Sequence, residues 1–147
     1  MKLSTKGRHA ITAMMELALH QKIGTVTLAD ISSQQSISIS YLEQLFAKLR
    51  QHGLVTGMRG PGGGYFLARP ASEITIARVL NAVDDMVKQQ EIPIAEREIP
   101  GSLLMWRRLS SQVYDYLDGI TLAEAVEPQM ENTQTSLFHT GLQKSAA

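Results

Sequence analysis

The 147-residue sequence contains no cysteine. That absence excludes disulfides, thiolate metal sites, cysteine-ligated iron–sulfur clusters and cysteine nucleophiles. Long hydrophobic runs are missing too. None approaches the roughly 18 to 20 apolar residues needed to cross a bilayer. Met1-Lys2-Leu3-Ser4-Thr5-Lys6 is basic but leads into no apolar stretch, so no signal peptide is expected and the chain reads as cytoplasmic, away from membranes. Nucleotide-binding loops are also lacking. No Gly-x-x-x-x-Gly-Lys-Ser/Thr occurs, and the one glycine-dense stretch, around Gly60 to Gly64, leads into a strand where a dinucleotide turn needs a helix.

What is present suffices for one ordinary domain. A hydrophobic content of 44% against 19% charged residues supports a buried core. Net charge is zero, yet it is unevenly spread. Residues 1–70 hold eight bases against three acids, and residues 71–147 hold six bases against eleven acids. A basic half joined to an acidic half suggests that one end meets a polyanion.

Ile11, Met14, Met15, Ala18 and Leu19 recur at helical spacing between Ser4 and about His20, with Gly24 beyond them. Thr27, three residues before Asp30, predicts the N-cap of a short second helix. After a turn over 36–40, a third helix starts at a cap supplied by Ser38 or by Ser40, the latter with Glu43 in capping-box register. Leu42, Leu45, Phe46 and Leu49 form one apolar stripe in it. Ser40, Glu43, Gln44, Ala47 and Gln51 project from the other side, with Lys48 and Arg50 at the edges. At about 1.5 Å per residue such a helix is roughly 20 Å long and fits a major groove. Two short helices joined by a turn, the second with one core face and one polar face, follow helix-turn-helix grammar.

Gly53 to Arg59 and Gly64 to Ala68 read as two strands around the tip Gly60-Pro61-Gly62-Gly63-Gly64, with Arg59 at its base. Three helices and a hairpin predict a mainly α fold with a small β-hairpin, a winged helix-turn-helix. The wing would lie on the DNA backbone or in a minor groove, where an arginine is favoured. This DNA-binding unit is expected over residues 1–85, including a helix from Ile74 through Val83. Residues 86–101 read as a loop. Over 102–127 a further helix carries Trp106, Leu109, Val113, Tyr116 and Ile120 at alternating three- and four-residue steps, followed by a short helix capped by Thr121 and Glu124. That seam packs either on its own domain or, as favoured here, on a second copy in a homodimer with a long C-terminal dimerisation helix. Residues 128–147 read as a disordered tail.

Leu3-Ser4-Thr5-Lys6-Gly7-Arg8, Thr27-Leu28-Ala29-Asp30-Ile31, Ile39-Ser40-Tyr41-Leu42-Glu43-Gln44-Leu45 and Arg59-Gly60-Pro61-Gly62-Gly63-Gly64-Tyr65 together resemble the Rrf2 family of bacterial transcription regulators. Trp106-Arg107-Arg108-Leu109 and Ile120-Thr121-Leu122-Ala123-Glu124 continue the likeness, which is strongest to the family's iron–sulfur regulators. The resemblance implies a homodimer bound to a palindromic promoter element in double-stranded DNA. It implies that Tyr41, Glu43 and Gln44 face the major groove, with Glu43 suited to accept from a cytosine amino group. Ser38, Ser40 and Arg50 would contact phosphates. Arg59 would enter the minor groove beside the wing tip, Gly60 and Pro61.

The sequence departs from the family's cluster-binding members in every ligand. Their three loop cysteines have no counterpart between Lys88 and Pro100, the histidine some carry before the tryptophan is Leu103, and the N-terminal carboxylate of others is Arg8. Glu91, Glu96 and Glu98 show no chelating spacing with His9, His20, His52 or His139, and a solvated acidic loop is the simpler account. The expectation is a regulator without cofactor or metal. Three readings remain: direct control by DNA binding alone, control by an effector protein or small molecule at the acidic loop, and an interaction module that ignores DNA. An enzyme is not expected, since no Ser-His-Asp set, metal set or acid/base pair is present; Asp84-Asp85 reads as a helix end.

Overall fold

The computed structural model describes residues 4–84 and 101–128. Helix α1 spans Thr5–His20, α2 Leu28–Gln35 and α3 Ile39–Gln51. Strands β1 (Val55–Met58) and β2 (Gly64–Leu67) form an antiparallel hairpin. A 3-10 turn at Ala71–Glu73 precedes α4 (Ile76–Asp84), and α5 covers Gly101–Asp118. Residues 122–128 form a last helix, α6. The loop expected at 86–101 falls outside the described residues except for Gly101, which opens α5; the tail beyond residue 128 falls outside them entirely.

The helices begin where local chemistry satisfies their free N–H groups. Ser4 Oγ accepts from Gly7 N at 2.8 Å to open α1. Thr27 and Asp30 form a reciprocal capping box on α2. Thr121 and Glu124 form another on α6, with Glu124 N donating to Thr121 Oγ1 at 3.2 Å and Thr121 N to Glu124 Oε2 at 3.3 Å. The last two were legible as spacings of three between a threonine and an acid.

The buried face of α1 differs from the stripe its large residues suggest. Gly7, Ala10, Ala13, Met14, Leu17 and Ala18 are buried, while Ile11, Met15 and Leu19 are half-buried on the flank. Small residues at the centre let α4 approach closely. A Cβ built on Gly7 would lie 2.7 Å from Leu80 Cδ2 and 2.9 Å from Asp84 Oδ2. One core results, shared by α1, α3, α4, the hairpin base and α6, with Phe46, Met14, Leu80 and Leu122 among its fully buried side chains.

Two long-range bridges tie the pieces together. Val26, between α1 and α2, pairs with Tyr65 of β2 through bonds of 2.9 and 2.8 Å. Thr75 pairs with Thr121, so Ile76 N donates to Ile120 O at 2.9 Å and Leu122 N to Ile74 O at 2.7 Å. The second bridge brings the chain after α5 back into the core that α4 helps to form.

Candidate nucleic-acid interface

Helix α3 is fixed from behind. Leu42, Leu45, Phe46 and Leu49 are all buried, and Ser40, Glu43, Gln44 and Gln51 on the far side are exposed, with Ala47 half-buried between. The amphipathic reading of this helix therefore holds at each apolar position. Of the two candidate caps, Ser38 is the one used: its Oγ accepts from Tyr41 N at 3.3 Å. Ser40 lies inside the first turn, and Glu43 has no capping duty. Its carboxylate is left on an exposed face with no ion pair among the described residues.

The far end of α3 leads directly into the wing. Gly53 N donates to Arg50 O at 3.0 Å and Leu54 N to Leu49 O at 3.0 Å, a Schellman closure that turns the chain into β1. Strand register pairs Val55 with Leu67, Thr56 with Phe66, Gly57 with Tyr65 and Met58 with Gly64. Tyr65 points back onto the buried side of α3, its ring 4.7 Å from that of Phe46. The wing is thus braced against the same residue that anchors the helix.

The wing tip is a tight turn. Gly63 N donates to Gly60 O at 2.8 Å, with Pro61 and Gly62 between them. Gly62 has φ +76°, the left-handed value that the third residue of a type II turn requires. Thr25 Oγ1 donates to Gly62 O at 2.8 Å and ties the tip to the segment before α2. Arg59, Gly60 and Pro61 are all exposed there.

Arg50 and Arg59 line one groove between the end of α3 and the wing, together with Thr56 and Met58. The sequence placed both arginines as binding residues; that they share a groove is decided by the Schellman turn and the strand register. Thr56 and Met58 were not singled out, because nothing local marks them. Lys48, at the edge of the stripe, turns inward and donates from Nζ to Val83 O at 3.3 Å at the end of α4. Among the described residues the sole contact of salt-bridge length is His20 Nδ1 to Glu16 Oε2 at 3.8 Å. Arg50 and Arg59 are therefore not neutralised by any described carboxylate, as an anion-binding face requires.

The seam on α5 is divided by the structure. Trp106, Leu109 and Tyr116 are 51%, 40% and 71% exposed, and Val113 is half-buried. Ile120 lies past the end of the helix and packs against the chain's own core. No residue of the 18-residue helix is fully buried.

There is no thiolate, and among the described residues no group of three His, Asp or Glu is placed to hold an ion. Arg8 is exposed on α1 and Leu103 half-buried on α5, so the positions from which family members donate carry no ligand. Glu91, Glu96, Glu98 and His139 lie outside the described residues. The residues present do not fit an iron–sulfur cluster, whose ligands are thiolates with at most a minority of imidazoles.

A helix-turn-helix with an exposed polar reading face, followed by an arginine-bearing β-wing, defines a winged helix-turn-helix DNA-binding protein. The chain belongs to the Rrf2 family of transcriptional regulators: the family model, described as an iron-dependent transcriptional regulator, matches residues 3–128. It is 49% identical over 133 residues to the HTH-type transcriptional regulator IscR of Serratia proteamaculans, covering 88% of this chain and 81% of that one. Among solved structures it is similar to IscR of T. potens, at 33% identity and TM-score 0.76, covering 90% of each chain. Oxidised CymR of Staphylococcus aureus matches at 36% identity and TM-score 0.73, over 86% of this chain and 97% of that one. The protein is an IscR-like, DNA-binding transcriptional regulator.

Proposed function

We propose that the protein is a homodimer that reads a palindromic promoter site and does so without an iron–sulfur cluster. The observation that carries this reading is the face of α3. Ser40, Glu43, Gln44 and Gln51 are exposed opposite four fully buried anchors, with Arg50 and Arg59, which no described carboxylate neutralises, beside them. Such a helix presents hydrogen-bonding side chains to base edges while the arginines and the helix cap meet phosphates. Ser38, Ser40 and Arg50 take the backbone; Tyr41, Glu43 and Gln44 take the major groove. Arg59 takes the minor groove, with Gly60 and Pro61 allowing the wing tip close approach.

The homodimer is supported by the uncovered apolar side chains of α5, Trp106, Leu109 and Tyr116. Two copies would double the reading surface and match a two-fold site. The absence of thiolates supports the cluster-free state, and the relatives, being regulators, support a role other than catalysis. The test is selection of genomic fragments by the purified protein near physiological salt, followed by sequencing. A shared palindrome upstream of a few operons is expected. Uniform recovery of fragments would overturn sequence-specific reading.

A further inference from the structure

One ring contact joins α1 to the reading helix. The His9 ring meets the Tyr41 ring at 5.5 Å between centroids and 84° between planes, edge to face. Tyr41 lies in the first turn of α3, and its backbone N–H is already bound to the Ser38 cap. Its backbone is therefore set by α3 itself, whereas the surroundings of its side chain are set partly by α1. The His9 ring's Nδ1 is buried without a hydrogen-bond partner. A buried polar atom left unpaired disfavours a histidine where a hydrocarbon ring would fill the same space. Against that cost the ring makes its edge-to-face contact with Tyr41.

We propose that His9 is a positioning residue for DNA recognition: its ring fixes the orientation of the half-buried Tyr41 side chain, which also packs against the core. The inference deepens the reading above and rests on Tyr41 facing the DNA. The frame behind it is closely packed: two residues earlier, Gly7 is buried and leaves no room for a Cβ beside Leu80 and Asp84 of α4. Tyrosine has two side-chain torsions, and an edge-to-face neighbour removes part of that freedom before DNA arrives. What α1 contributes is therefore paid out as discrimination between sequences, not as a contact of its own.

The experiment is a double-mutant cycle on full-length protein, measuring affinity for the selected palindrome and for a scrambled duplex. Thermal unfolding of each variant confirms that binding is measured on folded protein. Tyr41→Ala is expected to reduce the preference for the palindrome. His9→Ala should reduce it about two- to tenfold, the scale of an aromatic pair. In the Tyr41→Ala background His9→Ala should have no further effect, and His9→Phe should bind like the parent protein. If His9→Ala does not fold, His9→Gln takes its place in the cycle. Unchanged preference in His9→Ala, an equal loss in both backgrounds, or a His9→Phe variant as poor as the alanine would each overturn the proposal while leaving Tyr41's role intact. No effect of Tyr41→Ala would instead overturn the reading of Tyr41, and the role of His9 with it.

Discussion

Glu43 shows how a single residue acquires its meaning from its neighbours. Its spacing from Ser40 fits a capping box, and its place on the polar face fits base reading. With Ser38 as the cap, the first role is vacated, and the exposed carboxylate is left for the base-reading role proposed above. A carboxylate accepts from a cytosine amino group and repels the phosphates around it, so in the proposed role Glu43 would contribute to selectivity more than to affinity. Glu43→Ala is expected to lose about 1–3 kcal/mol of discrimination at one base pair, read from paired titrations of cognate and single-substituted duplexes. Equal discrimination before and after the change would remove Glu43 from the reading set. Asp30 carries a different kind of consequence. The Thr27 hydroxyl beside it, and the Thr27 N–H that donates to its Oδ2 at 3.2 Å, hold its carboxyl below the usual carboxylate range. The charged form is favoured in the folded chain, so its stabilisation is complete above the ordinary carboxylate pKa and fades as pH falls through the lowered value. Urea unfolding of Asp30→Asn and the parent protein should show a stability gap at neutral pH that narrows in acid.

At the scale of elements, small residues decide how closely helices approach. Gly7 was legible only as part of a motif, yet it sets the contact between α1 and α4. Leu80 is fully buried and has little room to move, so Gly7→Ala should overpack the junction and cost about 1–3 kcal/mol, measured as a lowered urea midpoint. An unchanged midpoint would mean that α4 yields more freely than its burial suggests. The wing makes the opposite point. Its glycines and Pro61 are legible as a turn from composition alone, because Pro fixes φ at the second position and Gly supplies positive φ at the third. Its bracing by Val26, Thr25 and Phe46 is not, since those partners come from distant parts of the chain.

For the whole molecule, the apolar seam on α5 bears on oligomeric state. A glutamate at Trp106 changes a half-exposed position, so the fold of the protomer should survive it. Trp106→Glu is expected to sediment as a monomer and to bind a full palindrome much more weakly, approaching its affinity for a half-site. Sedimentation as a dimer would place the interface elsewhere. Binding should also weaken steeply with salt through counterion release, about 10³- to 10⁵-fold between 50 and 200 mM if six to ten phosphates are contacted. Protein purified anaerobically should carry neither iron nor acid-labile sulfide; stoichiometric amounts of both would contradict the cluster-free state.

Much of this could be read from residue order, because caps, amphipathic periods and turns depend on neighbours a few positions apart. Thr27 with Asp30, Thr121 with Glu124, the stripe from Leu42 to Leu49 and the Gly60–Gly63 turn all belong to that class. Cysteine chemistry was settled by composition without any fold. The choice of Ser38 over Ser40, the inward turn of Lys48, the meeting of Arg50 and Arg59, and the contact of His9 with Tyr41 came only with the folded chain. Each depends on segments brought together by a shared core, or on which of two equally spaced side chains geometry admits. Local pattern carries no information about either.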